Sequence, residues 1–142
     1  MILIADDDPV YVQGLREILI RRAGYEDVRD VATGERVISF VRDQPAPDVL
    51  ILDMMLPWND TDLIGARPPA EDQDLRGFQV ITELCKTSFD VSRIVVITAY
   101  YVPEIANWLR EKGLTHILFK PAPIWEIIRA VRGIYPSESR RK

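Results

Sequence analysis

A chain of 142 residues is long enough to bury most of the surface its unfolded form exposes, so it reads as one domain that needs neither a metal nor a disulfide scaffold to fold. Its 18 Lys and Arg against 22 Asp and Glu give a net charge of -4, which argues against nonspecific binding of nucleic acid or anionic membrane. A lone cysteine, Cys85, excludes an intrachain disulfide, and no apolar run approaches the roughly eighteen residues of a membrane span.

The chain opens directly into the apolar run Ile2 to Ala5, with no basic region before it, so a secretory signal is not expected and a cytoplasmic location is. Asp8-Pro9 supplies an N-cap and a first-turn proline for a helix with the stripe Leu15, Ile18, Leu19. A weaker strand around Asp27 to Val31 carries charges and belongs at a sheet edge. Thr33 precedes a second helix with Val37, Ile38 and Val41 on one face, and Val49 to Leu52 is a second uninterrupted apolar strand. Phe78, Ile81, Leu84 and Cys85 stripe a third helix, where Cys85 reads as a small core hydrophobe rather than a redox thiol. Ile94 to Ile97 is a strand, and Val102, Ile105 and Leu109 stripe a helix that stops at Gly113. Ile117 to Phe119 is the last strand, with His116 as a turn residue before it, and Ile124, Ile127, Ile128 and Val131 stripe the last helix. Strands without polar alternation, interleaved with helices, predict a (βα)5 α/β domain over residues 1–135 with an open, doubly wound parallel sheet. The tail from Pro136, "PSESRRK", has no apolar anchor and is expected to be disordered.

The residues that terminate these strands are polar. The first strand runs into Asp6, Asp7 and Asp8, the third into Asp53, the fourth into Thr98 and the fifth into Lys120. Carboxyl ends of parallel strands form the ligand crevice of such a sheet, so these groups should converge. Carboxylates crowded there repel by about 4 kcal/mol per pair at about 4 Å and an effective dielectric of about 20. Positive charge must join them; Lys120 supplies one unit, and a hard, oxygen-binding dication is the expected partner for the rest. Asp8 reads as a helix cap only.

The segments "ILIADDDP", "PDVLILDMMLP", "VVITAY" and "FKPAP" resemble, in order and across nearly the whole chain, the four signature segments of bacterial response regulator receiver domains, of the stand-alone chemotaxis-regulator kind. That resemblance implies a flavodoxin-like strand order 2-1-3-4-5. It implies Asp53 as acceptor of a phosphoryl group from the phosphohistidine of a histidine kinase or phosphotransfer protein. Mg2+, with Mn2+ as a substitute, would be held by Asp7 directly, by Asp6 mainly through water, by Asp53 and by the Met55 backbone carbonyl. Thr98 would donate to one phosphoryl oxygen and Lys120 would pair with another, and Lys120-Pro121 would be cis. The output would be a downstream target protein docked on the face formed by the fourth helix, fifth strand and fifth helix, where Trp108 and Trp125 lie off or beside the apolar stripes; self-association through that face is a further expectation.

Two features depart from the family pattern. Ile117 stands three residues before Lys120, where an aromatic switch residue is usual, and Phe119 points to the other side of the strand. The family passes from the "LP" pair to a glycine within a few residues, whereas here Pro57 and Gly77 are twenty apart. The insertion at 58–76 carries Asp60, Asp62, Glu71, Asp72 and Asp74 against Arg67 and Arg76, with Pro68-Pro69 in its middle. Three readings stand for it: a solvated insertion, a partner-recognition or gating loop anchored by Trp58, Leu63 and Ile64, and extra metal ligation by Asp60 or Asp62; the second is preferred. Met55 and Tyr100 flank the crevice without a group suited to orient water, which predicts slow self-dephosphorylation. A receiver-like scaffold working without phosphorylation is the alternative function, opposed by the complete polar set. A phosphohydrolase lacks a general acid two residues beyond Asp53, and a DNA-binding regulator would need a further basic domain.

Overall fold

The computed structural model describes residues 1–60, 76–99 and 103–136. The interior of the insertion, Tyr100, Val102 and the tail beyond Pro136 lie outside them, and so do the expectations placed there: Leu63, Ile64 and Asp62 as anchors or ligands, Tyr100 beside the crevice and disorder of the terminus.

Five strands, β1 (Ile2–Ala5), β2 (Val28–Val31), β3 (Val49–Asp53), β4 (Ile94–Thr98) and β5 (His116–Phe119), form one sheet in the order β2-β1-β3-β4-β5, every pair parallel. Among the described residues the α-helices are α1 (Pro9–Arg21), α2 (Gly34–Asp43), α3 (Arg76–Cys85), α4 (Pro103–Glu111) and α5 (Ile124–Ile134). This is the flavodoxin-like order, with the charged strand β2 at the edge. His116 is not a turn residue: it opens β5, level with Val95.

Alternation along β1 explains why both faces are covered. Ile2 and Ile4 pack with Val12, Leu15 and Leu19 of α1 and with Ile127 and Val131 of α5. Leu3 and Ala5 pack on the opposite face with Val37 of α2, with Val80, Ile81 and Leu84 of α3 and with Leu109 of α4. Each fully buried branched side chain contributes roughly 1.5–3 kcal/mol, and the four residues of β1 and the first four of β4 are buried almost without exception. Cys85 departs from expectation. It is exposed, because the buried line of α3 runs through Val80, Ile81 and Leu84, and the residue after Leu84 lies about 100° further round, beyond the edge of that line. Ile124 is likewise exposed, since it begins α5 before the helix has reached the sheet.

Local chemistry sets the helix starts that face the site. Asp8 caps α1, its carboxylate accepting from the amides of Val10 at 3.1 Å and Tyr11 at 3.2 Å, with Pro9 in the first turn. Thr33 caps α2 by accepting from the Arg36 amide. The first two orphan amides of α2 are met by the root of the insertion: Gly34 N–H donates to the Pro57 carbonyl at 2.8 Å and Glu35 N–H to the Trp58 carbonyl at 2.9 Å. The Trp58 ring lies where a Gly34 Cβ would be, 2.6 Å from its Cε3, so only glycine admits it. At the returning end, Gly77 N–H donates to the Met54 carbonyl at 3.0 Å, and a Cβ on Gly77 would sit 2.7 Å from Met54 Cα. The insertion thus leaves and re-enters the fold within a few residues of Asp53.

Candidate functional site

Strand register brings the polar strand ends level. Ala5 pairs with Leu52, so Asp6 and Asp53 follow side by side; Asp53 pairs with Ile97 and Thr98 with Phe119, so Thr98 and Lys120 lie one step beyond. Carboxylate oxygens of Asp6, Asp7 and Asp53 lie within 4.8 Å of one another. Asp6 and Asp53 are buried and Asp7 is half-buried. The Lys120 Nζ is 3.3 Å from Asp6 Oδ2 and 3.5 Å from Asp53 Oδ2. Its own amide donates to the Thr98 carbonyl at 2.8 Å, and the Lys120-Pro121 peptide is cis. Thr98 is buried at the end of β4.

Each buried carboxylate has one oriented backbone donor: the Asp8 amide to Asp6 Oδ1 at 2.9 Å and the Met55 amide to Asp53 Oδ1 at 3.0 Å. These bonds fix the rotamers and leave the Oδ2 atoms toward Lys120. Burial pushes the Asp6 carboxyl above its ordinary value despite the Asp8 amide and Lys120, which pull it down. Burial likewise raises Asp53; the Met55 amide and Lys120 lower it, while the Asp6 and Asp7 charges add to the rise. Burial acts on Lys120 in the opposite sense, but the charges of Asp53 and Asp6 outweigh it and its pKa is raised. One ammonium therefore does not neutralise three carboxylates.

The donor set fits the divalent cation that the motif resemblance implies. Three carboxylates, two of them oriented by backbone amides, form an all-oxygen set of the kind that hard cations such as Mg2+ take, with waters completing the shell. The side chains of Asp6, Asp7, Asp53 and Lys120 meet at this one crevice, Thr98 is buried at the adjoining end of β4 with its carbonyl bonded to the Lys120 amide, and Met55 follows within the turn after β3. Asp60, offered as an extra ligand, instead pairs with Arg36 of α2 at 3.4 Å on the surface.

The sequence reading missed one side chain, Tyr11. Its ring lies beneath the Lys120 ammonium, 4.5 Å from Nζ to the ring centroid. The available signal was its place in the first turn of a helix that starts directly after the aspartates. The two tryptophans also separate. Trp108 turns toward α3, meeting the Phe78 ring edge-on at 4.6 Å, and is half-buried; Trp125 is 56% exposed with the Arg129 guanidinium 4.7 Å over its ring.

Comparison with known proteins agrees with this geometry. The family profile described as response regulator receiver domain matches residues 2–62, which ends inside the insertion. The oxygen regulatory protein NreC of Staphylococcus haemolyticus is 28% identical over 138 residues, covering 97% of this chain and 56% of that protein. The transcriptional regulatory protein PdtaR of Mycobacterium tuberculosis is 27% identical over 130 residues, covering 92% of this chain and 54% of its own length. The chain thus spans about half the length of the curated relatives it matches. Among solved structures, a Francisella response regulator receiver domain superposes with a TM-score of 0.73 at 21% identity, covering 99% of this chain and 98% of that one. A putative response regulator from Chloroflexus aurantiacus gives a TM-score of 0.66 at 26% identity, covering 94% and 95%. Family profile, fold and motifs together support the resemblance to response regulator receiver domains.

Proposed function

We propose that this receiver domain accepts a phosphoryl group on Asp53 and passes the signal on through protein contacts. The observation that carries the reading is the Asp53 carboxylate, buried at a strand end, held by the Met55 amide and flanked by Lys120 at 3.5 Å and by two further carboxylates. Asp53 Oδ2 attacks the phosphorus of a histidine kinase or phosphotransfer protein's phosphohistidine. A P–O bond forms to give an acyl phosphate, the P–N bond breaks, and its electron pair returns to the imidazole, which takes up a proton. Lys120 stands where it pairs with a phosphoryl oxygen, and the Thr98 hydroxyl serves another. Mg2+ would be held by Asp6, Asp7, Asp53 and the Met55 carbonyl; when bound it supplies positive charge that offsets repulsion between carboxylate and phosphate.

The reading places the protein in the cytoplasm, as the phosphoacceptor partner of a kinase rather than an enzyme acting on other substrates. Among the described residues no helix is long and apolar enough to cross a membrane. Ile124 and Trp125 offer exposed apolar area on α5 for a target or a second copy. The insertion serves partner recognition, because its root is built into the fold beside Asp53 while Asp60 faces Arg36 rather than the carboxylates. A second reading, that the domain works within a longer regulator, is favoured by the length of its relatives, one of them named a transcriptional regulatory protein.

Incubation with a small acyl-phosphate donor, with and without Mg2+, tests the first reading by intact mass. One phosphoryl adduct that needs the cation and vanishes in Asp53→Asn is expected. An adduct that survives in Asp53→Asn, or none under any condition, overturns it.

A further inference from the structure

Lys120 brings a long, flexible side chain to the crevice, and what fixes its head decides whether it meets a phosphoryl group in place. Its backbone is tied to Thr98, and its Nζ reaches Asp6 and Asp53. Those two anchors are temporary under the function proposed above, because cation binding and phosphorylation both redistribute the carboxylate charge. The ring of Tyr11 is a third anchor that neither event consumes: its face lies 4.5 Å below Nζ, and ring and carboxylates approach the ammonium from α1, β1 and β3 respectively.

Several observations show the ring to be fixed in that position. Tyr11 sits in the first turn of α1, its amide held by the Asp8 cap, and its ring packs on the core cluster formed by α1, α5 and one face of the sheet. Asp8 also donates its own amide to Asp6, so a single turn orients both the carboxylate and the ring that face the ammonium. An ammonium over a half-buried ring face is attracted by the ring quadrupole, most where water is partly excluded.

We propose that Tyr11 is a positioning residue of the phosphorylation site, its ring face holding the Lys120 ammonium in the crevice independently of the charge state of the carboxylates. The proposal rests on the phosphoacceptor reading, but it is a claim about Lys120 that can be measured without phosphorylation. The hydroxyl takes no part; the aromatic face does.

Two variants separate ring from apolar character: Tyr11→Phe keeps the face, and Tyr11→Leu keeps an apolar side chain but loses the face. With the small acyl-phosphate donor at saturating Mg2+, Tyr11→Leu is expected to slow adduct formation about five-fold, whereas Tyr11→Phe matches wild type. In a Lys120→Ala background, Tyr11→Leu should add nothing, because the ring acts only through the ammonium. The arm independent of phosphorylation is the rate at which a water-soluble acylating reagent modifies Lys120, read by peptide mass spectrometry in divalent-free buffer. Tyr11→Leu should raise that rate several-fold relative to Lys112 within the same molecule, and Tyr11→Phe should not. If no form of the protein is phosphorylated, the phosphoacceptor reading fails while the Lys120 measurement still decides the ring's role. Equal Lys120 reactivity in wild type and Tyr11→Leu, or equal change in Tyr11→Phe and Tyr11→Leu, overturns the proposal; circular dichroism of Tyr11→Leu, with Val12→Ala as a second α1 variant, identifies any change that is only loss of packing.

Discussion

Replacing Asp53 by asparagine is expected to raise the melting temperature of the metal-free protein. Lys120 Nζ at 3.5 Å attracts the Asp53 charge by about 5 kcal/mol at an effective dielectric of about 20. Asp6 and Asp7 oxygens no farther than 4.8 Å away each repel it by at least about 3.5 kcal/mol on the same scale. The charge is therefore disfavoured by about 2 kcal/mol before burial adds its own cost, although solvent at half-buried Asp7 trims that figure. Asparagine keeps the shape and an oxygen for the Met55 amide, so the gain should be about 1–3 kcal/mol, or roughly 3–10 °C. The pH dependence has a definite sign. Burial raises the Asp53 and Asp6 carboxyls above the ordinary 3.8, so the folded state binds protons more tightly than the unfolded chain. The stability this contributes is complete below that ordinary value and is lost as pH rises through the raised folded-state value. The advantage of Asp53→Asn should accordingly be small in acid and grow with pH over that window, and the stabilisation of wild type by added Mg2+ should grow with it. Differential scanning calorimetry across that pH range, in chelator for the metal-free comparison and with added Mg2+ for the cation effect, measures all of this. A melting temperature for Asp53→Asn below wild type at neutral pH would refute the electrostatic reasoning.

Other perturbations follow from the same geometry. Lys120→Met leaves Asp6 and Asp53 without their counter-charge and should cost about 2–4 kcal/mol in chelator, part of it restored by Mg2+; a neutral result in urea denaturation would contradict the ion-pair geometry. Gly77→Ala drives a methyl to within 2.7 Å of Met54 Cα and should cost about 1–3 kcal/mol, measured as a lower denaturation midpoint with unchanged slope. Exchanging residues 59–76 for a short glycine-containing turn should leave small-donor phosphorylation nearly intact, since the root contacts of Pro57, Trp58 and Gly77 are retained. The same exchange should weaken transfer from the cognate kinase or binding to the target, and loss of Mg2+ affinity in titrations would instead assign the insertion to the metal site.

Much of this architecture is legible in the residues themselves. Apolar runs ending in polar groups give strands whose register must align those groups, and Asp6, Asp53, Thr98 and Lys120 converge for that reason. The charges on β2 mark it as an edge because a central strand could not bury Arg29 and Asp30. What pattern does not carry is side-chain direction at element ends. Cys85 and Ile124 match their stripes by spacing, yet each lies in a terminal turn of its helix where the sheet no longer covers it. Tyr11 depends on a contact between residues more than a hundred positions apart, and no local periodicity encodes it. Likewise, Trp58 reads as a loop anchor from sequence, but the groove that receives it exists only because Gly34 lacks a Cβ.

The central claim is that the phosphoryl group resides on the Asp53 carboxylate. Borohydride reduces an acyl phosphate to an alcohol, so treatment of the donor-incubated protein, followed by peptide mass spectrometry, records the modified position as homoserine. The account predicts homoserine at position 53, dependent on Mg2+ and absent from untreated protein. Homoserine at Asp6, Asp7 or any other aspartate with position 53 unchanged would contradict it.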